Sequence, residues 1–292
     1  MKISGFTFVR NGISLGYPFV PAIRSLLPLC DEIIVNVPRS TDETLAKVKA
    51  IDDPKIKIIQ SEWDDNARKG GLALSHHTNL ALEKCTGDWC VYIQADEVLH
   101  EDTVPPMRAA MERELNNPAV EGFVVDYTHF YGSYQTQTVG LGWYPREVRM
   151  IRNGQKFYSN SDAQSFRARG DRKLNVKKSG GHYFHYGHAR HPQLAKERLR
   201  DFSKLWHDDK KVEEICNRAE GFYEDDQKVK RFTGTHPSVM REIVAAADWT
   251  YRSRNPLIRF RKKYFWKDVA LLLKNTTGIE LGVHRNFRLL RD

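Results

Sequence analysis

Apolar residues fall in short dense runs over the first third of the chain, separated by stretches with helical spacing. KISGFTFV (2–9) predicts a first strand, rich in β-branched and aromatic residues. In YPFVPAIRSLLPLC (17–30), Phe19, Val20, Ile23, Leu26 and Leu27 recur every three or four residues and mark one helix face. DEIIVNV (31–37) predicts a second strand. STDETLAKVKAI (40–51) then opens a helix, with Ser40 and Glu43 spaced as a capping box. KIKIIQSE (55–62) is a third strand, a helix covers about 68–84, and DWCVYIQ (88–94) is a fourth strand. This alternation, with continuously apolar strands, predicts an α/β fold: a mostly parallel central sheet with helices on both faces. Ligands of such sheets bind beyond the carboxyl ends of the strands.

The pattern then changes. GFVVDYTHFYG (122–132), EVRMIRN (147–153) and GHYFHYGH (181–188) predict strands joined by longer loops. From Pro192 onward the spacing is helical, ending in an amphipathic segment near 264–274. There is no internal repeat and no low-complexity linker. A division near residue 190 is expected, between an α/β domain over 1–190 and a helical, basic C-terminal region over 191–292.

Composition narrows this picture. With 292 residues, 40% hydrophobic and 11% aromatic, the chain can bury a sizeable core and is not of the disordered class. No apolar run is long enough for a membrane-spanning helix, and the N-terminus lacks the pattern of a signal peptide. Cys30, Cys85, Cys90 and Cys216 form no CxxC pair, so reduced thiols and a cytoplasmic location are expected. The net charge of +9 suits an anionic partner. Its excess concentrates in RSRNPLIRFRKKYFWK (252–267), where no acid interrupts the Lys and Arg residues. A nucleic-acid-binding protein would instead spread basic residues over one sheet face. No nucleic-acid partner is expected.

The fourth strand runs into acids, in CVYIQADEVLHED (90–102). Carboxylates at a strand end can hold Mg²⁺ or Mn²⁺ beside substrate phosphates. Solvated acids near a helix start give the same local pattern. The strand end, where a ligand should lie, favours the first reading.

Four stretches in order resemble the family 2 glycosyltransferases, inverting enzymes of the GT-A fold that use nucleotide-activated sugars. GFTFVRNG (5–12) is similar to the family's first strand, leading into the nucleotide pocket. DEIIVNVPRSTDETL (31–45) resembles the second-strand segment with its Ser-Thr-Asp-x-Thr turn. TGDWCVYIQADEVL (86–99) resembles the strand ending in the metal-binding Asp-x-Asp motif, and REVRMIRNG (146–154) the later strand with paired arginines. The likeness covers about residues 2–190. Two departures mark a variant branch. Val37-Pro38 stands where the family has an Asp pair, and Gln94-Ala95-Asp96-Glu97 replaces Asp-x-Asp.

The resemblance implies an inverting glycosyltransferase with a divalent cation, Mn²⁺ or Mg²⁺. Asp96 and Glu97 would bind the metal, with His185 as a third ligand. Phe8, Arg10, Asn11, Asp42, Asn79 and Gln94 would contact the donor nucleotide. Arg149, Arg152 and Arg190 would meet its diphosphate. Asp162, in YSNSDAQSF (158–166), is the candidate base, although Ser-Asn-Ser-Asp is equally strong turn composition. Asp126 is a weaker candidate inside a strand. The acceptor would be a glycan, a lipid-linked sugar or a surface polysaccharide.

Three other features invite readings. His182, His185, His188 and His191 lie in a strand-like setting, where 182 and 188 would face one way and 185 and 191 the other. Gly70-Gly71 could admit a phosphate to the backbone, and His76 and His77 could line the nucleotide side. The basic segment, carrying Phe260, Tyr264, Phe265 and Trp266, fits a peripheral contact with the inner face of an anionic membrane, a phosphorylated acceptor, or a plain solvated face. Two alternatives to a working transferase remain: a non-catalytic sugar-nucleotide-binding protein, and a nucleotidyltransferase on a similar fold.

Overall fold

The computed structural model describes residues 1–65, 70–139, 142–191, 198–200, 202–204, 206–218, 227–252, 265–277 and 286–291. The strands are β1 (Ile3–Phe8), β2 (Glu32–Pro38), β3 (Ile56–Ser61), β4 (Trp89–Tyr92), β5 (Glu97–Leu99), β6 (Gly122–Tyr131) and β7 (Ser133–Thr138). They continue with β8 (Arg146–Arg152), β9 (Tyr158–Ser159), β10 (Phe166–Ala168), β11 (Arg172–Lys173), β12 (Asn175–His188), β13 (Val229–Arg231) and β14 (Arg288–Leu289). The α-helices are α1 (Phe19–Leu26), α2 (Thr44–Lys49), α3 (Leu72–Leu82), α4 (Val104–Arg113), α5 (Asp209–Arg218), α6 (Arg241–Ala245) and α7 (Phe265–Thr277).

The predicted α/β architecture is present. β3, β2, β1 and β4 lie side by side and parallel. The strand order reverses at β1, which leaves a crevice beyond the strand ends there. β8 joins β4 antiparallel, and β6 and β7 follow antiparallel, so the sheet is mixed. β12 runs parallel to β6 and antiparallel to β5.

Both faces are covered because successive strand residues point opposite ways. Val35, Val37, Trp89 and Val91 pack with Leu26 of α1 and Met107 of α4. Ile34, Cys90 and Tyr92 pack on the other side with Ala81 of α3 and with Phe166.

The predicted Ser40–Glu43 capping box does not form. α2 starts at Thr44, and Asp42 accepts hydrogen bonds from its backbone N–H at 3.0 Å and its hydroxyl at 2.5 Å. Ser40 instead donates to the Pro38 carbonyl and accepts from Asn11 N–H. The competing demand is the loop after β1. Gly12 N–H donates to Thr44 Oγ1 at 2.8 Å, and the N–H and hydroxyl of Ser14 both donate to Asp42 at 2.9 Å. These bonds strap the two loops together at the mouth of the crevice.

Beyond residue 190 the chain returns to the same sheet. β13 pairs with β7, and β14 pairs with β12. Phe287 is buried with Val124 and Phe166, and Met240 with Phe130 and Phe184. The amphipathic pattern near 264–274 corresponds to α7. Much of the predicted helix after Pro192, and residues 253–264 of the basic segment, lie outside the described residues. Cys30, Cys85 and Cys90 are buried, and all four thiols are free. No helix among the described residues is long and apolar enough to cross a membrane.

Candidate active site

A cleft of about 790 Å³ lies beyond the carboxyl ends of β1 and β4. Phe8, Arg10 and Asn11 reach it from the end of β1, and Gln94 and Asp96 from the end of β4. Trp63, Asp64 and Asp65 border it after β3, and Trp143, Tyr144 and Asp162 enter from later loops.

The turn after β4 sends its two acids in different directions. Glu97 is fully buried and does not line the cleft. Its Oε1 accepts from Arg149 Nη2 at 2.7 Å and from the Tyr127 hydroxyl at 2.7 Å. Its Oε2 accepts from Arg149 Nε at 3.1 Å and from Gln94 N–H at 3.0 Å. Both oxygens are thus committed, and the expectation of a metal ligand at Glu97 is corrected to a buried anchor. The same holds for Arg149: it is fully buried against Glu97, and this pair holds its guanidinium well above its ordinary pKa despite desolvation. Holding Glu97 inward turns the neighbouring Asp96 outward.

Asp96 lines the cleft with its carboxylate 3.5 Å from His185 Nε2 and 3.6 Å from Arg198 Nη2. Burial alone would raise its pKa, but His185, Arg198 and Arg190 outweigh it and hold the carboxyl well below the usual range. Gly187 keeps the space between the two donors open. A Cβ there would lie 2.5 Å from Asp96 Oδ2 and 2.6 Å from His185 Nε2. One carboxylate oxygen, one imidazole nitrogen and this open space fit a divalent cation that takes its remaining ligands from phosphate oxygens and water. Among the described residues no set of three or more acidic, His or Cys side chains could hold a metal by itself.

The alternation predicted for the histidines breaks at the end of β12. A register irregularity between His185 and His188 brings both into the cleft, their ring centroids 5.8 Å apart. Burial and the nearby Arg198 push the His188 imidazole well below its ordinary pKa.

On the side of β1 and β3 the cleft is aromatic and charged. The Trp63 ring stacks on His77 at 4.7 Å, and the Arg10 guanidinium lies 4.5 Å from the Trp63 centroid. Arg10 also pairs with Asp65 at 3.1 Å. His77 is held from beneath, where Asn36 Nδ2 donates to its carbonyl at 3.1 Å. Burial, His76 and Arg10 push the His77 imidazole down to about 4. Asn11, at a positive φ of 50°, accepts from Thr41 N–H and keeps the loop in place.

Several other predicted contacts are not brought to the cleft. Arg152 donates to the carbonyls of Glu114, Leu115 and Asn117 and stacks on Trp89, closing the end of α4. Asn79 exchanges hydrogen bonds with the backbone of Ser159. Asp42 is the strap already described. Arg190 is buried behind the cleft wall, on the Tyr17 ring and the Gly187 carbonyl, and its charge acts on Asp96. Asp126 pairs with Arg146 at 2.7 Å. Asp162 does border the cleft, within a turn where Ser161 and Ala163 have positive φ. Trp63, Asp64, Asp65, Arg198 and Lys204 line the cleft without having been singled out from the sequence. The only sequence signal for the first three is their position just after a strand.

A family model described as glycosyl transferase family 2 matches residues 20–175, more than half of the chain. No curated protein matches the sequence. Among solved structures, the chain is similar to TarS of S. aureus, at 14% identity and a TM-score of 0.39. That match covers 74% of this chain and 42% of TarS. TarS 1–349 in complex with UDP matches at 16% identity and a TM-score of 0.39, covering 74% and 70% of the two chains. Glucosyl-3-phosphoglycerate synthase from Mycobacterium tuberculosis, in complex with Mn²⁺, UDP and glucosyl-3-phosphoglycerate, matches at 21% identity and a TM-score of 0.31, covering 45% of each chain. With the family match spanning β2 through the start of β12, the chain belongs to glycosyl transferase family 2.

Proposed function

We propose that the cleft transfers a sugar from a nucleotide-sugar donor to an acceptor hydroxyl, with inversion at the anomeric carbon. One observation carries this reading: Asp96, after β4, and His185, of β12, meet at 3.5 Å beyond the sheet's carboxyl edge, inside a cleft large enough for a sugar nucleotide. The donor's nucleoside lies between the loops after β1 and β3, against Phe8, Arg10, Asn11 and Trp63. Asp96 and His185 would hold Mg²⁺ or Mn²⁺, which would supply positive charge against the departing diphosphate. Arg198 and Lys204, at the same cleft, add positive charge. Asp162 is the base. It takes the proton of the acceptor hydroxyl as that oxygen bonds to the anomeric carbon. The bond from that carbon to the phosphate oxygen breaks, and its electron pair leaves with the nucleoside diphosphate.

The acceptor is a glycan, a lipid-linked sugar or a surface polysaccharide. The basic C-terminal region docks a cytoplasmic enzyme on the inner face of an anionic membrane. A second reading, a protein that binds the sugar nucleotide without turnover, draws on Gln94. Its amide replaces a carboxylate and is tied to the Ala163 carbonyl at 3.2 Å.

A thermal-shift screen of nucleoside diphosphates and their sugars, with and without Mn²⁺ or Mg²⁺, tests the site. Metal-dependent stabilisation by one nucleotide is expected, and it identifies the donor class. Asp96→Ala should then abolish transfer while the melting temperature without ligand stays near the parent value. Full transferase activity in that variant would sink the assignment. Binding without sugar transfer to any acceptor supports the second reading.

A further inference from the structure

His129 stands on β6 directly beside His185 of β12, as its register partner across the parallel pair. It is 4% exposed and lies among Tyr127, Trp143 and Tyr144. Its Nε2 is 2.7 Å from the Tyr144 carbonyl oxygen, and its Nδ1 is 2.9 Å from His185 Nδ1. A carbonyl only accepts, so His129 Nε2 carries a hydrogen. A second hydrogen on Nδ1 would place a full positive charge in this aromatic surround, whose polar contacts to the ring are a carbonyl and another imidazole. His129 Nδ1 is therefore the acceptor, and His185 Nδ1 is the donor.

We infer that His129 is a positioning residue that keeps a hydrogen on His185 Nδ1, so that Nε2 is the nitrogen left to meet a cation beside Asp96. The inference rests on the proposed metal role of His185. Three links form one chain. The Tyr144 carbonyl orients His129, His129 orients His185, and His185 Nε2 faces the Asp96 carboxylate at 3.5 Å. Such outer partners set the tautomer and ring angle of metal-binding histidines. Tyr144 itself lines the cleft, so a ligand that moves the loop before β8 also moves the first link.

The test uses the full chain and two substitutions at one site. His129→Phe keeps a ring among the same aromatics and removes the acceptor. His129→Asn restores an oxygen able to accept from His185. Mn²⁺ binding is followed by electron paramagnetic resonance with a nucleoside diphosphate present, and the His185 tautomer by ¹⁵N chemical shifts without metal. The expected result is a Mn²⁺ affinity about 10- to 100-fold weaker in His129→Phe, partial recovery in His129→Asn, and an Nδ1–H signature for His185 only where an acceptor stands at 129. Equal Mn²⁺ affinity in His129→Phe and the parent chain would overturn the inference and leave the metal reading intact. A parent chain that binds no Mn²⁺ would overturn the metal reading. The ¹⁵N shifts then still decide where the hydrogen sits: a His185 Nδ1 without its hydrogen in the parent chain overturns the inference. Melting temperatures of both variants separate loss of fold from loss of aim.

Discussion

Two buried glutamates make opposite demands on the protein. Glu97 is held from every side, by two guanidinium N–H groups, a phenol and a backbone N–H. Glu97→Gln leaves the Arg149 charge without its counter-ion and should destabilise the fold by about 3 kcal/mol or more, read by urea unfolding. A loss under about 1 kcal/mol would show that the pair is replaceable. Glu147, on β8, is also buried, but the donors to its Oε1 are the uncharged side-chain amides of Gln164 at 3.1 Å and Asn286 at 3.0 Å. Burial pushes its carboxyl from 4.5 up to about 7, against the pull of Arg149. Between those values the unfolded chain has released this proton and the native chain has kept it. Stability therefore falls as pH rises across that window, by about 3 kcal/mol from this group alone. Glu147→Gln keeps an uncharged side chain at every pH. Its unfolding free energy should lack this fall between about pH 5 and pH 8. An identical slope in variant and parent would refute the assignment.

At the level of elements, β12 presents His185 to the cleft and leaves it open through Gly187. In Gly187→Ala the new methyl group must displace the Asp96 carboxylate or the His185 ring, both under 2.7 Å from where it would sit. The expected outcome is loss of Mn²⁺-dependent nucleotide binding in calorimetry with the sheet retained by circular dichroism; unchanged binding would mean that the two donors do not act together. The strap at α2 is a smaller matter. Asp42→Ala should cost about 1 kcal/mol, as loss of a helix-start acceptor does. The same scale explains what was readable in advance. The β3-β2-β1-β4 unit was legible because its strands are short and densely apolar and alternate with stretches of helical spacing. The end of β4 was legible as an edge of the cleft because acids follow an apolar strand. Choosing between Asp96 and Glu97 was not, since adjacent residues differ only in which way the turn sends them, and Arg149 and Tyr127 decide that from distant strands. The shared facing of His185 and His188 depends on a register irregularity that leaves no mark in the residue pattern. Arg152 reads like a phosphate ligand until α4 is seen to end beneath it.

At the scale of the whole molecule, the basic run of the sequence leads directly into α7, whose first residues expose aromatic rings. Trp266 is 78% exposed and Phe265 42%, beside the acid-free run that ends at Lys267. If this region meets a membrane, the chain should sediment with anionic vesicles at low salt and release at about 0.5 M salt, because each basic residue contributes about 1 kcal/mol that screening removes. Trp266→Ala should weaken the association several-fold. Equal binding to neutral and anionic vesicles would count against a charge-driven contact. The molecule also keeps two kinds of structure apart. Asp96 and His185 are fixed by the pairing of β12 with β5 and β6, whereas Trp63, Trp143 and Asp162 sit on connections outside the central sheet. Such a division makes the chain evolvable. Substrate preference can drift through its connecting segments while the proposed cation site at Asp96 and His185 is inherited unchanged. Exchanging residues 158–165 for the matching segment of another family member, with Asp162 kept, should redirect acceptor choice and leave Mn²⁺ affinity where it was.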